Sequence, residues 1–288
     1  MGDSYIEGRE VAFDKLLTSV LETRIGSGTI VMNFGLSGSG QAEQIPLYRN
    51  LVTKFKPDIL IHCVTVSNDF EDNVQELSPL QSKNFLELKD GELIEIPPPQ
   101  WVTCICKEPW CAVTNFFSNL ALFKLVYRQL DAKTDLPWQS FFAPGNAYAS
   151  EQRSSSDGLV AFDTPQYDNA KRVMAKALLS FRTMCEKDGT HFLLMSPSGV
   201  WTFPAREYPD FKTKSELLAK RYAWLEEFAR EHSFAYLDLN KSLLQESRSI
   251  GLRCDDIHIP WDAHWTPPGH RLAAESVFRM LKSYRLIP

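Results

Sequence analysis

The chain has 288 residues, enough for one large or two small domains, and its 44% hydrophobic and 12% aromatic content can bury a core without covalent staples. A net charge of −5 with no run of Lys or Arg argues against nucleic acid or an anionic membrane surface as the main partner. The longest apolar run, residues 59–66, is broken by His62 and is far too short to span a bilayer, so no membrane span is expected.

The elements then follow in chain order. Phe13, Leu16, Leu17, Val20 and Leu21 share one face of a helix that Gly26 and Gly28 close. Residues 29–34 are apolar and β-branched, which predicts a strand running into the glycine-rich turn 35–40. Ile45, Tyr48, Val52 and Phe55 mark a second helix, and residues 59–66 read as a central parallel strand covered on both faces, ending at Ser67-Asn68-Asp69. About residues 74–163 the pattern becomes irregular. That region holds Pro97-Pro98-Pro99, Trp101, Trp110, Trp138, a helical pattern over 116–130 and a polar surface loop at 150–158. It is expected to be an insertion that forms a lid or cleft wall within a single domain covering 1–288. Regular alternation returns with a helix over Val173, Ala177, Leu178, Phe181 and Cys185 ending near Gly189, and a strand at 191–195. A helix over Leu218, Tyr222, Leu225 and Ala229 and a strand at 234–239 come next. Thr266-Pro267 opens the last helix, with Ala273, Val277, Met280 and Leu281 facing inward. Strands alternating with long helices predict an α/β fold with a parallel sheet.

Six cysteines do not make a disulfide framework. Cys104, Cys106 and Cys111 lie close together, but no His falls among them and no second pair follows. They are expected to be thiols, or to include one disulfide if the protein is exported. No metal and no cofactor are expected.

Ligands of open parallel sheets bind beyond the carboxyl ends of the strands. Four segments can be placed there: Gly2-Asp3-Ser4-Tyr5, Gly35, Asn68, and Asp262 with His264 before the last helix. Each has a plain structural role open to it. Ser4 is a good N-cap, Gly35 suits a tight turn, Asn68 and Asp69 form turns or caps, and His264 can pack in a core.

Taken in order, these segments resemble the blocks of the SGNH (GDSL-type) hydrolase superfamily. Gly2-Asp3-Ser4 is similar to the first block, Asn33-Phe34-Gly35 to the second, and Ser67-Asn68-Asp69 to the third. Asp262-Ala263-His264-Trp265-Thr266 with Gly269-His270 is similar to the fifth. The resemblance implies a three-layer α/β/α sandwich with a flavodoxin-like parallel sheet. It implies a serine hydrolase with Ser4 as nucleophile, His264 as general base and Asp262 as its orienting acid. Ser4 and Gly35 N–H groups and the Asn68 carboxamide would form the oxyanion hole. That chemistry needs these residue types: a hydroxyl attacks only when an imidazole takes its proton, and the resulting oxyanion needs donors aimed in advance.

Two departures from the family pattern stand out. The usual spacing is Asp-x-x-His, which Asp255-Asp256-Ile257-His258 satisfies; Asp262 and His264 show the shorter spacing of some branches, including those related to polysaccharide O-acetylation. His264 is preferred because it directly precedes the Thr-Pro-Pro-Gly-His helix start, within which His270 is expected to pack or cap. The family's nucleophile also follows a central strand, and only Met1 precedes Gly2 here. The expectation is that this first strand is missing from the chain, which leaves open a signal or anchor upstream of it; the chain as written reads as cytoplasmic.

Small acyl esters, among them acetyl groups on carbohydrate, are the expected substrates, with Trp261 and Trp265 flanking the acid–base pair as aromatic faces. Three alternatives remain. The same triad serves an O-acyltransferase; the fold serves a catalytically inactive SGNH-type binding protein; and Gly35-x-x-Gly38-x-Gly40 serves a phosphate- or nucleotide-binding protein, although it is neither G-x-G-x-x-G nor a P-loop.

Overall fold

The computed structural model describes residues 1–78, 82–98, 162–200, 212–259 and 262–287. Within them the fold is α/β. A parallel sheet is formed by β1 (Ile59–Cys63), β4 (His191–Ser196) and β5 (Ala235–Asp238), in the order β1-β4-β5. Successive strand side chains point to opposite faces, yet Leu193, Leu194, Met195 and Ser196 of β4 are all buried. Helices therefore cover both faces, and the molecule has three layers. The helices are α1 (Ser4–Glu7), α2 (Leu17–Ile25), α3 (Gln41–Asn50), α4 (Asp69–Asn73), α5 (Pro165–Asp188), α6 (Lys212–Glu231), α7 (Leu239–Ser249), α8 (Cys254–Ile257) and α9 (Pro267–Ser283).

Beyond β1 the sheet continues through isolated contacts. Met1 lies parallel to β1, its ammonium donating to Ile61 O at 2.9 Å while Cys63 N–H donates to Met1 O at 2.8 Å. Gly2 bridges Gly35 in parallel, and Leu36 N–H donates to Gly2 O. The spatial order is thus residue 35, residues 1–2, β1, β4, β5, which is the flavodoxin-like order 2-1-3-4-5. Met1 and Gly2 hold the position expected of the first strand.

The strand expected at 29–34 does not form. Pairing with Gly2 begins only after it, at Gly35 and Leu36; within it Val31 N–H donates to the Glu22 carboxylate at 2.6 Å, and Ile30 stands 76% exposed. Phe13 (78% exposed) and Phe55 (51%) also leave the core assigned to them, because each lies in a single 3₁₀ turn outside the neighbouring α-helix. Of the remaining inward residues expected of these helices, Leu16, Leu17, Leu21, Ile45, Tyr48 and Val52 are buried, and Val20 is half-buried against the core.

Part of the region expected to be irregular is an antiparallel hairpin. β2 (Phe85–Lys89) and β3 (Glu92–Ile96) turn through Asp90 (φ 53°) and Gly91 (φ 80°), a pair suited to a left-handed two-residue turn. The hairpin packs on α3, α4 and α5 and is pinned by Arg49, whose guanidinium meets both carboxylate oxygens of Glu95 at 2.8 and 3.0 Å. The cysteine cluster, the 116–130 pattern, the 150–158 loop and the rest of the expected lid lie outside the described residues.

Elsewhere the sequence pattern carries through. Gly189 ends α5 in the left-handed conformation (φ 72°), and Thr266 Oγ1 caps α9 by accepting from Gly269 N–H. No helix among the described residues is long and apolar enough to cross a membrane.

Candidate active site

Ser4 is delivered by a sharp turn at the carboxyl end of the Met1–Gly2 segment. Asp3, not Ser4, is the N-cap of α1: its Oδ1 accepts from Tyr5 N–H at 3.1 Å. The Ser4 hydroxyl is thereby released from capping, and Ser4 N–H donates to no group among the described residues.

The Ser4 hydroxyl meets His264. Its Oγ lies 2.7 Å from His264 Nε2, and His264 Nδ1 lies 2.6 Å from Asp262 Oδ1. The hydrogen bond to His264 holds the Asp262 carboxyl below the usual carboxylate range, against the opposing effect of partial burial. An ionised carboxylate only accepts, so Nδ1 carries the proton and Nε2 is left to accept from Ser4.

Local backbone explains the one-residue spacing. Ala263 sits in the left-handed region at φ 65°, which folds the Asp262 side chain back onto the ring two residues later. Bonds from Asp262 N–H and Ala263 N–H to Ile259 O, and from Ile259 N–H to His264 O, close the loop.

His258, with the usual family spacing, is brought elsewhere. It is fully buried, bridges Trp265 across the base of this loop, and places Nε2 3.0 Å from Ser198 Oγ. Burial pushes its imidazole down to about 4. His270 packs as expected, its Nδ1 accepting from Leu17 N–H at 3.2 Å. Trp265 is 1% exposed and its Nε1 donates to Ser198, so it offers no face to a substrate; Trp261 lies outside the described residues.

Of the expected oxyanion donors, Gly35 is otherwise engaged. Its N–H donates to Asn33 Oδ1 at 2.8 Å in a local Asx-type turn, and Asn33 Nδ2 in turn donates to Ile6 O. Gly35 is required for packing instead: a Cβ there would stand 2.1 Å from Glu7 N and 2.6 Å from Ile6 C. Asn68 precedes α4, donates one amide hydrogen to Asp72 Oδ2 at 2.7 Å, and accepts from Ser67 Oγ at 3.2 Å.

Several residues that support the site carry no sequence motif. Arg221, fully buried on α6, donates to Val66 O at 3.0 Å, Ser67 O at 3.1 Å and Glu71 at 2.8 Å, so it grips the chain on both sides of Asn68. A cluster of buried carboxyls lies beneath. Desolvation lifts Asp3 to about 6 against the Thr65 hydroxyl and His264; it lifts Glu43 to about 7 against Lys83, and raises Asp69 as well. A pairing of carboxylates with one Lys spread over residues 3–83 has no local signature.

One group of metal-type donors exists among the described residues: Glu10, Asp262 and His264, within 4.8 Å of one another. Both His264 nitrogens already face partners, Nδ1 meeting Asp262 Oδ1 and Nε2 meeting Ser4 Oγ. The glycine-rich turn is likewise filled. Its N–H groups at 35, 37 and 40 bond to Asn33, Glu7 and Glu43, and those at 36 and 39 to Gly2 O and Leu36 O. Two of those acceptors are carboxylates, which would repel a phosphate.

No protein-family profile matches the chain, and no curated protein does. Among solved structures the chain is similar to a member of the lipolytic G-D-S-L family from Veillonella parvula (12% identity, TM-score 0.48, covering 98% of this chain and 95% of that one). It is also similar to a lipase/acylhydrolase from Enterococcus faecalis (13%, 0.47, 98% and 93%). A third is a catalytic mutant of an acetylxylan esterase from Geobacillus stearothermophilus (11%, 0.47, 97% and 91%). At these identities and scores the likeness adds nothing to what the geometry of Ser4, His264 and Asp262 shows by itself.

Proposed function

We propose that this protein is a serine ester hydrolase acting on small acyl esters. The observation that carries it is the continuous line from Ser4 Oγ to His264 Nε2 (2.7 Å) and from His264 Nδ1 to Asp262 Oδ1 (2.6 Å). Ser4 Oγ attacks the ester carbonyl as His264 takes its proton, and Asp262 stabilises the imidazolium that forms. The tetrahedral oxyanion is met by Ser4 N–H and the second amide hydrogen of Asn68. Collapse expels the alcohol, protonated by His264, and leaves an acyl-Ser4 ester. Water, activated by the same imidazole, attacks that ester and releases the acid and Ser4.

Acetyl esters, on carbohydrate or on simple alcohols, are the first substrates to assay. Wild-type protein is expected to hydrolyse p-nitrophenyl acetate and to be labelled by a fluorophosphonate probe, with both properties lost in Ser4→Ala. A folded wild-type protein that neither reacts with the probe nor turns over acetyl esters would overturn the proposal and leave a binding protein with the same fold.

A further inference from the structure

Resting on the proposed role of Asn68 as an oxyanion donor, we propose that Lys83 is a positioning residue that orients the Asn68 carboxamide through Asp72. Lys83 lies just before β2, in a part of the chain that no motif marks. Its ammonium is nearly buried, and it donates to Asp72 Oδ1 at 3.0 Å and to Gly38 O at 2.8 Å, with Glu43 Oε2 at 3.6 Å. The other oxygen of the same carboxyl, Asp72 Oδ2, accepts from Asn68 Nδ2 at 2.7 Å.

These contacts form one chain from the backbone of the 35–40 turn to the amide of Asn68. A carboxyl held at one oxygen only can rotate about its terminal torsion, which is broad. Held at both, it cannot, and the amide bonded to it is fixed in plane. An acceptor at Asp72 also decides which end of the carboxamide is nitrogen. Asn68 Oδ1 then faces Ser67 Oγ, and one N–H remains to be aimed. Charge-assisted bonds in a buried site are the stronger kind, so the ammonium is suited to hold this geometry.

Lys83 also bonds the two loops that follow the inner sheet positions, the 35–40 turn through Gly38 O and α4 through Asp72. It joins them on the Gly38 side, while the Gln41–Asp69, Ala42–Asn73 and Gln41–Asn73 hydrogen bonds join them at the start of α3. Misplacing a reacting group by about 1 Å can cost on the order of 10²-fold in rate, so loosening this link is expected to slow the chemistry without weakening substrate binding.

The test is a double-mutant cycle on p-nitrophenyl acetate hydrolysis, with kcat and KM measured separately. Lys83→Met is expected to lower kcat about tenfold with KM within about twofold, and Lys83→Arg to recover most of the loss, because the interaction matters in the transition state. Asn68→Ala is expected to lower kcat by about 10². In the Asn68→Ala background Lys83→Met is expected to add almost nothing, since the group it positions is gone. Should Lys83→Met fail to fold, Asp72→Asn, which is nearly isosteric, carries the same cycle. Equal losses in both backgrounds, or an unchanged kcat in the variant of Lys83 or Asp72 that folds, overturn the proposal. An Asn68→Ala protein with wild-type kcat overturns instead the role of Asn68 on which it rests.

Discussion

Tyr5 Oη donates to Ala263 O at 3.1 Å, joining the residue after Ser4 to the residue between Asp262 and His264, 258 positions apart in the chain. The Tyr5 ring lies 4.9 Å from the His264 ring and 5.2 Å from that of Trp265, so it also forms one wall of the imidazole's seat. The two ends of the chain are thus locked together at the site by one side chain.

Tyr5→Phe removes the hydroxyl and keeps the ring. It leaves the Ala263 carbonyl without that donor, at a cost of about 1–3 kcal/mol in global stability. The expected result is a lower midpoint in urea unfolding and a several-fold loss of kcat for p-nitrophenyl acetate. An unchanged kcat would mean that the His264 loop holds its geometry without the clasp.

Ala263 is the second control on that loop. Its φ of 65° is a conformation that L-residues reach at a cost of about 1–2 kcal/mol and that β-branched residues avoid. Ala263→Gly is expected to leave turnover intact, with any gain from relieved strain reduced by the greater freedom of glycine in the unfolded chain. Ala263→Val is expected to break the Asp262–His264 contact and abolish most activity. Near-wild-type kcat in Ala263→Val would show that the acid–base pair does not depend on this turn.

Much of this site was legible because its residues sit at predictable ends. Ser4 follows the Met1–Gly2 segment inside the sheet, Asn68 follows β1, and Asp262 and His264 precede a helix announced by Thr266-Pro267. The long helices and β4 were legible from periodicity and from stops such as Gly189. Other features depended on partners distant in sequence. Residues 29–34 have the composition of a strand, but a strand also needs a neighbour, and only Gly35 and Leu36 find one. Lys83 has no local pattern because its contacts, Gly38, Glu43 and Asp72, are scattered through the chain. Two further features do have local signals: Asp90-Gly91 between alternating runs marks a hairpin, and Asn33 two residues before Gly35 marks a side chain able to take that N–H.

The two candidate bases make opposite predictions. His264→Ala removes the acceptor of the Ser4 proton and is expected to lower kcat by at least about 10³ while the protein stays folded. His258→Ala instead opens a buried site beside Ser198 and Trp265, so it should lower stability by about 1–3 kcal/mol, with turnover surviving in the folded fraction. Loss of turnover in a folded His258→Ala protein, with activity kept in His264→Ala, would reverse the assignment.

His270 makes stability depend on pH in a known direction. Its Nδ1 accepts from Leu17 N–H, and burial, with His264 nearby adding to it, depresses the imidazole from 6.5 to about 4. Between those values the unfolded chain binds the proton and the folded one does not. The contribution is therefore complete above about pH 6.5 and falls as pH drops toward 4, by about 1.4 kcal/mol per pH unit for one site. Other buried groups act at the same time: His62 and His258 are depressed to about 3 and about 4, while Asp3 and Glu43 are raised to about 6 and about 7 and give the opposite slope. Comparing wild type with His270→Asn, which keeps an acceptor near the Nδ1 position but does not titrate, cancels those shared contributions. Urea unfolding at several pH values between 4 and 6.5 should show wild type losing stability relative to the variant as pH falls. Parallel curves would mean that His270 is protonated in the fold and that Leu17 N–H finds another acceptor.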